Sequence, residues 1–258
     1  MQSTLLCDIY LLRLTQSIND FKVTVTRSAL KPLVIGTATE WMLKPHTLSV
    51  ELVSRPWDIF LLVESSSEGL PAEVKSAIAS QWKTSANISS SMTESLMKDN
   101  HSLLNPSPDH IPPLTGSLQK PRVIDPDLEV NFTPEIEEWT KSFSATDEGK
   151  RPVSMLNLLA YNEGKRDTFL GYIEVFNEAV GAKRGAMGKL FGSVPEDQRE
   201  SSGGWEDIAL VHYPSIWHFA DLIASEEYRE CDRKYKQGAV KDCGILCITS
   251  KRDTSLLS

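Results

Sequence analysis

The apolar positions of this chain fall into two series with the same order of parts. Cys7 to Leu14 is an apolar, β-compatible run, and Ser17-Ile18-Asn19-Asp20 after it opens like a capping box. Ile18, Phe21 and Val25 then recur at helical spacing. Val153 to Ala160 repeats the strand, and Phe169, Tyr172, Ile173, Phe176 and Val180 mark one face of the helix that follows. Each helix precedes a glycine-containing strand, Pro32 to Thr39 and Ala186 to Ser193.

The clearest repeat comes next. Trp57-Asp58-Ile59-Phe60-Leu61-Leu62-Val63-Glu64 lies over Trp205-Glu206-Asp207-Ile208-Ala209-Leu210-Val211-His212 without a gap. Proline turns at Pro71 and Pro214 lead into amphipathic helices marked by Val74, Ala77 and Ile78, and by Ile216, Phe219, Ala220 and Ile223. A last strand, Gly244 to Thr249, ends the second series, and its weaker counterpart is expected near Pro113 to Leu118. The pattern is β-α-β-β-α-β twice over.

The stretch from Ser89 to Pro126, rich in Ser, Pro and Asp, separates the copies. We therefore expect a diverged first unit over residues 1–120 and a second over 121–258. The second includes a linker and a bridging helix between Phe132 and Phe143, capped by Thr133, with Ile136, Trp139 and Phe143 on one face. The fold class is α+β, two ferredoxin-like repeats fused into an intramolecular pseudo-dimeric α/β barrel. Each sheet, covered by helices on one face, needs a partner for the other. The space between the sheets is either packed solid or holds a small ligand.

Residues 132–250 resemble a family of unknown function within the dimeric α/β-barrel superfamily. The matching elements are Phe132-Thr133-Pro134, Pro152 to Leu159, Trp205 to Tyr213, Pro214-Ser215 and Ser225-Glu226-Glu227-Tyr228. The resemblance implies paired ferredoxin-like units with ligand sites inside the barrel. It also implies a superfamily of mixed functions, including cofactor-free monooxygenases, isomerases, lyases, dehydratases and haem-dependent enzymes. Tandem, diverged versions of this type are similar to those of fungal small-molecule metabolism. Fold alone does not settle function.

Composition removes several classes. The 258 residues carry a formal charge of −8, and no Lys/Arg run has the density of a phosphate-tracking surface, so nucleic acid is not an expected partner. The longest apolar runs, such as Ile59 to Val63 and Ile208 to Val211, are strand-length, so no membrane span is expected and the predicted location is cytoplasmic. Cys7, Cys231, Cys243 and Cys247 read as reduced, structural thiols. His46, His101, His110, His212 and His218 are too scattered for a metal site, and neither a Walker-type loop nor a G-x-S-x-G elbow appears. No metal and no cofactor are expected.

The candidate chemistry lies on the strands. Glu206, Ile208, Leu210 and His212 share one strand face, and Asp207, Ala209, Val211 and Tyr213 the other. His212 ends an apolar track and suits proton transfer if that face lines a cavity; otherwise it is a histidine bonded to backbone. Glu64 is its pseudo-symmetric counterpart, a second acid/base candidate or a solvated strand end. Asn157 interrupts an apolar run and shares a face with Val153, Met155 and Leu159. It either orients a substrate oxygen or locks a neighbouring loop. Tyr172 and Tyr213 are candidate hydroxyl donors, Trp57 and Trp205 candidate stacking surfaces, and Met155 a further substrate contact, each with core packing as the alternative.

These features favour a cofactor-independent enzyme that performs acid/base-assisted isomerisation, cyclisation or elimination on an apolar, carbonyl-bearing small molecule. Alternatives are a non-catalytic metabolite-binding barrel, a cofactor-free monooxygenase and a pericyclic cyclase. The chain is expected as a monomer closed by its internal pseudo-dimer, or as a homodimer through outer surfaces.

Overall fold

The computed structural model describes residues 3–250. The first unit runs β1 (Thr4–Leu14), α1 (Ile18–Arg27), β2 (Pro32–Leu43), β3 (Ile59–Glu64), α2 (Ala72–Ser76) and β4 (Ile78–Ser89). Two helices follow, α3 (Ser90–Leu104) and α4 (Pro134–Ser144). The second unit runs β5 (Val153–Tyr161), α5 (Arg166–Val175), β6 (Met187–Ser193), β7 (Asp207–Tyr213), α6 (Ile216–Ile223), α7 (Glu226–Cys231) and β8 (Val240–Thr249).

All strand pairs are antiparallel, and the order β1-β3-β2-β8-β5-β7-β6-β4 closes on itself as a barrel. Within each unit the first strand pairs with the third and the fourth, as a ferredoxin-like sheet requires. The two-copy α+β architecture read from the sequence is therefore the architecture of the molecule.

The copies match in detail. Tyr10 pairs with Leu61 as Asn157 pairs with Ala209, which fixes the residue-by-residue equivalence of the units. Register breaks at the same place in both second strands, between Pro32 and Val34 and between Gly188 and Leu190. The bulged residues are Leu33 and Lys189. Gly36 and Gly192 are equivalent too, and each sits where a neighbouring strand comes close. A Cβ on Gly192 would lie 2.7 Å from Ile88 Cγ1.

Two expectations need correction. The fourth strand of the first unit is Ile78–Ser89, not the Pro113 to Leu118 region, where the structure has an irregular chain and a short 3₁₀ turn at Ser117–Gln119. Trp82, Ala86 and Ile88 alternate toward the barrel core, but Ser, Asn, Gln and Lys between them dilute the signal. The outer face of this strand is polar because it meets Asp8: Ser85 donates to Asp8 Oδ1 at 2.7 Å and Lys83 lies 2.8 Å from Oδ2. Second, the stretch from Ser89 begins with a helix, α3, whose Met92 and Leu96 pack into the barrel core.

The predicted caps form. Ser17 Oγ accepts from the Asp20 N–H at 3.1 Å, and Thr133 Oγ1 from the Ile136 N–H at 3.2 Å. Helix α4 lays Ile136, Trp139 and Phe143 on the helix-side core of the second unit.

The space inside the barrel is a packed core. Ile9, Leu11, Phe60 and Leu62 meet Leu156, Leu158, Ile208 and Leu210 there, all at most 1% exposed. That density is ordinary for a protein interior. The open space lies elsewhere.

Candidate functional site

An apolar cavity of about 410 Å³ lies between the second sheet and its helices, on the face opposite the barrel interior. Its origin is visible in the repeat. In the first unit the paired helix-facing positions hold Tyr10 and Leu61, which pack on Phe21, Val25 and Val74. The second unit has Asn157 and Ala209 at these two positions, and both line the cavity. Two large side chains become two smaller ones, and the helices do not collapse into the gap.

What keeps the helices apart is partly local backbone. Helix α5 continues into a π-helical turn at Phe176–Gly181 and α7 into another at Asp232–Lys236. Extra residues of this kind re-aim side chains and recur at functional sites. Here they bring Phe176, Asn177 and Lys236 to the cavity wall. An aromatic series braces one side, with ring centroids 5.4 Å apart for Phe169 and Tyr172 and 5.6 Å for Tyr172 and Phe176. Exposed Met187, Gly188 and Asn177 mark the mouth, beside Met92 of α3.

Polar groups are few in this lining. Asn157 Nδ2 donates to the Met155 carbonyl at 3.0 Å, and its other amide atom has no partner among the described residues. The hydroxyls of Tyr172 and Tyr213 also have no hydrogen-bond partner there. Burial holds both phenols in their protonated form by raising their pKa values. They are donors in search of an acceptor.

At the floor, the buried Lys236 ammonium lies 2.7 Å from Glu129 and 3.7 Å from Asp232. Burial opposes its charge, but Glu129, Tyr228, Cys243 and Asp232 together hold its pKa well above the usual lysine value. Burial raises the pKa of Asp232, against the pull of Lys236 and a hydrogen bond with Tyr228. Burial also pushes the nearby Cys231 thiol up to about 11.

The structure gathers Asn157, Met155, Tyr172 and Tyr213 around the cavity. The other four candidates lie apart from it. His212 points into the barrel, is 3% exposed, and has no partner for Nδ1 among the described residues. Burial and the neighbouring Lys189 charge push its pKa down to about 3. Glu64 pairs with Cys7 at the barrel rim and is exposed. Trp57 donates its indole N–H to the Leu52 carbonyl at 2.8 Å, and Trp205 is fully buried; both belong to the barrel core. The resemblance implies ligand space inside the barrel; the structure packs that interior and has its open cavity outside it.

Sequence reasoning missed Tyr228, Lys236, Asp232 and Glu129. Glu129 lies in an irregular segment, and the π turn at Asp232–Lys236 breaks the helical spacing that would have placed Lys236. Ala209 carried a readable signal, since it stands opposite Leu61 in the ungapped alignment.

None of the five histidines lines the cavity, so its wall offers no imidazole for a haem iron. Among the described residues no group of three or more His, Cys, Asp or Glu could hold a metal ion. Nor is any helix there long and apolar enough to cross a membrane.

Fold and cavity together define a single-chain ferredoxin-like barrel with an apolar small-molecule-sized space on the helix side of its second unit. No known family matches the sequence, and no curated protein matches it. Among solved structures, a protein of unknown function from Rhodopseudomonas palustris is 22% identical over 52% of this chain and 100% of its own, with a TM-score of 0.36. A candidate monooxygenase from Lactobacillus acidophilus aligns over 95% of this chain and 93% of its own, at 10% identity and a TM-score of 0.48. A heme-binding protein from Thermus thermophilus aligns over 96% and 92%, at 9% identity and a TM-score of 0.41. At these values the likenesses bear on neither substrate nor reaction.

Proposed function

We propose that this protein is an enzyme acting on a largely apolar, oxygen-bearing small molecule held between the second sheet and its helices. The reaction class is acid/base-assisted isomerisation, cyclisation or elimination. The observation that carries the reading is the cavity itself: aromatic and aliphatic walls, with the unpaired groups of Asn157, Tyr172 and Tyr213 set into them. Such a space favours an apolar body, and a few fixed donors orient its oxygen. Phenols kept protonated by burial can hydrogen-bond a carbonyl as negative charge develops on it.

This reading moves the acid/base work from His212 to groups on the cavity side of the sheet. Met155 contributes apolar wall, and Trp57, Trp205 and Glu64 take no part in binding.

Untargeted mass spectrometry of metabolite extracts, incubated with and without the protein, tests the reading. A substrate should disappear and a product appear. Tyr172→Phe should slow the conversion roughly 10²-fold or more if its phenol stabilises the developing charge, while His212→Ala that folds should retain it. A metabolite that co-purifies and is returned unchanged would instead favour a carrier, a reading the same cavity serves.

A further inference from the structure

Lys236 lines the cavity, and behind it two carboxylates reach its ammonium, Glu129 at 2.7 Å and Asp232 at 3.7 Å, so three ionisable groups from two parts of the chain meet at this wall. Lys236 and Asp232 come from one π turn, and Glu129 from the segment before α4. The Lys236 and Asp232 side chains are 6% and 2% exposed, and Glu129 is 26% exposed. Building on the binding site proposed above, we infer that this cluster makes the cavity selective for uncharged ligands: a neutral carbonyl or hydroxyl compound enters, and a carboxylate of the same shape is refused.

The argument is one of charge. One ammonium faces two carboxylates, so the cluster is neutral when Asp232 holds a proton and negative when it does not. It carries a net positive charge only if both carboxyls are protonated. The groups around it do not change that sum. Tyr172, Tyr228, Cys231 and Cys243 stay protonated and neutral. Arg184, which bears on Tyr213, is matched by Asp221 at 3.0 Å and Glu227 at 3.6 Å.

An entering carboxylate would lose its hydration and meet no net positive charge, an arrangement buried ions do not tolerate. A neutral carbonyl loses far less. It meets the free hydroxyls of Tyr172 and Tyr213. A lysine at the end of an apolar pocket would ordinarily suggest an acid as ligand. Here its charge is already satisfied within the protein.

Three probes of one shape test this: naphthalene, 2-acetonaphthone and 2-naphthoate, in equilibrium dialysis against the full chain at neutral pH. The ketone should bind at least tenfold more tightly than the carboxylate, with naphthalene between them. Asp232→Asn fixes that position as neutral at constant shape and should narrow the ratio severalfold at a pH where the native carboxyl is ionised. Glu129→Gln should do the same from another segment, which covers the case where the first variant fails to fold.

A carboxylate that binds the unaltered protein as tightly as the ketone overturns the inference but leaves the apolar binding site standing. A ratio unchanged in the folded variants overturns the assignment to this cluster. If none of the three probes binds, the proposed site falls as well. Ala209→Leu, which narrows the cavity, should weaken binding of all three severalfold, and unchanged binding would place them elsewhere.

Discussion

The helix-facing sides of the two units have the same topology and different contents. On the first, Tyr10, Leu12, Leu61 and Val63 close tightly on α1 and α2, and the layer is a plain core. On the second, Asn157 and Ala209 replace Tyr10 and Leu61, π turns lengthen the helices, and a cavity opens. A similar contrast holds at two barrel positions. The second unit buries Lys189 and His212 where the first has Leu33, packed on the barrel core, and an exposed Glu64. One copy is built as a wall and the other as a vessel. Duplication lets a chain keep its fold in one half while the other carries features that work against stability.

The largest effect should come from acid. Because His212 titrates at about 3 in the fold, well below the usual 6.5, the unfolded chain takes up the proton first. The stability it confers is complete above about pH 6.5 and is lost as the pH falls toward 3, roughly 4 kcal/mol by about pH 3.5. In denaturant titrations at several pH values, His212→Leu should flatten this acid limb by one proton.

Next is Asp207, which stands where the first unit has Ile59. It accepts two hydrogen bonds from Arg166, at 2.8 and 3.0 Å, and one from the Tyr161 hydroxyl at 2.9 Å. Asp207→Ala leaves these donors facing a void and should cost about 3 kcal/mol in urea unfolding. Ile59→Val, at the equivalent place, should cost about 1 kcal/mol.

Lys189→Leu gives the second bulge the residue of the first. Burial lowers the Lys189 pKa to about 8, so its charge weighs against the fold at neutral pH. The variant should gain about 3 kcal/mol below pH 8, an advantage that fades as the pH rises to about 10.5. Denaturant midpoints at pH 7 and pH 10 check both the gain and its sign. Smallest in stability is Ala209→Leu, within about 1.5 kcal/mol of the parent in thermal unfolding, since it restores the first unit's packing.

Much of this was legible because it depends on periodicity. Val153 to Ala160, the ungapped match of Trp57–Glu64 to Trp205–His212, and the caps at Ser17 and Thr133 all describe local pattern, and the structure follows them. Strand alternation also put Asn157 with Met155 on one face. It could not say which face of the sheet would leave space, because that depends on how far the helices stand off. Strand β4 was hidden because its outward Lys83 and Ser85 face Asp8 rather than a helix. Lys236 and Glu129 meet only through tertiary folding, across more than a hundred residues of intervening sequence, and no spacing rule links them.

The barrel's two joins between units differ in strength. Strands β2 and β8 are paired from Thr37 with Thr249 to Leu43 with Ile245, whereas β4 and β6 share only Asn87 with Ser193 and Ile88 with Gly192. Beyond those pairs lie Met92 and Met187, at the cavity mouth. Breathing of the molecule should concentrate there, and amide protons of Ile88 and Gly192 should exchange with solvent well before those of the β2–β8 join. For the proposed site, the same looseness would give a bulky ligand a way in: a few hydrogen bonds would part and re-form beside the mouth while the rest of the ring stays shut.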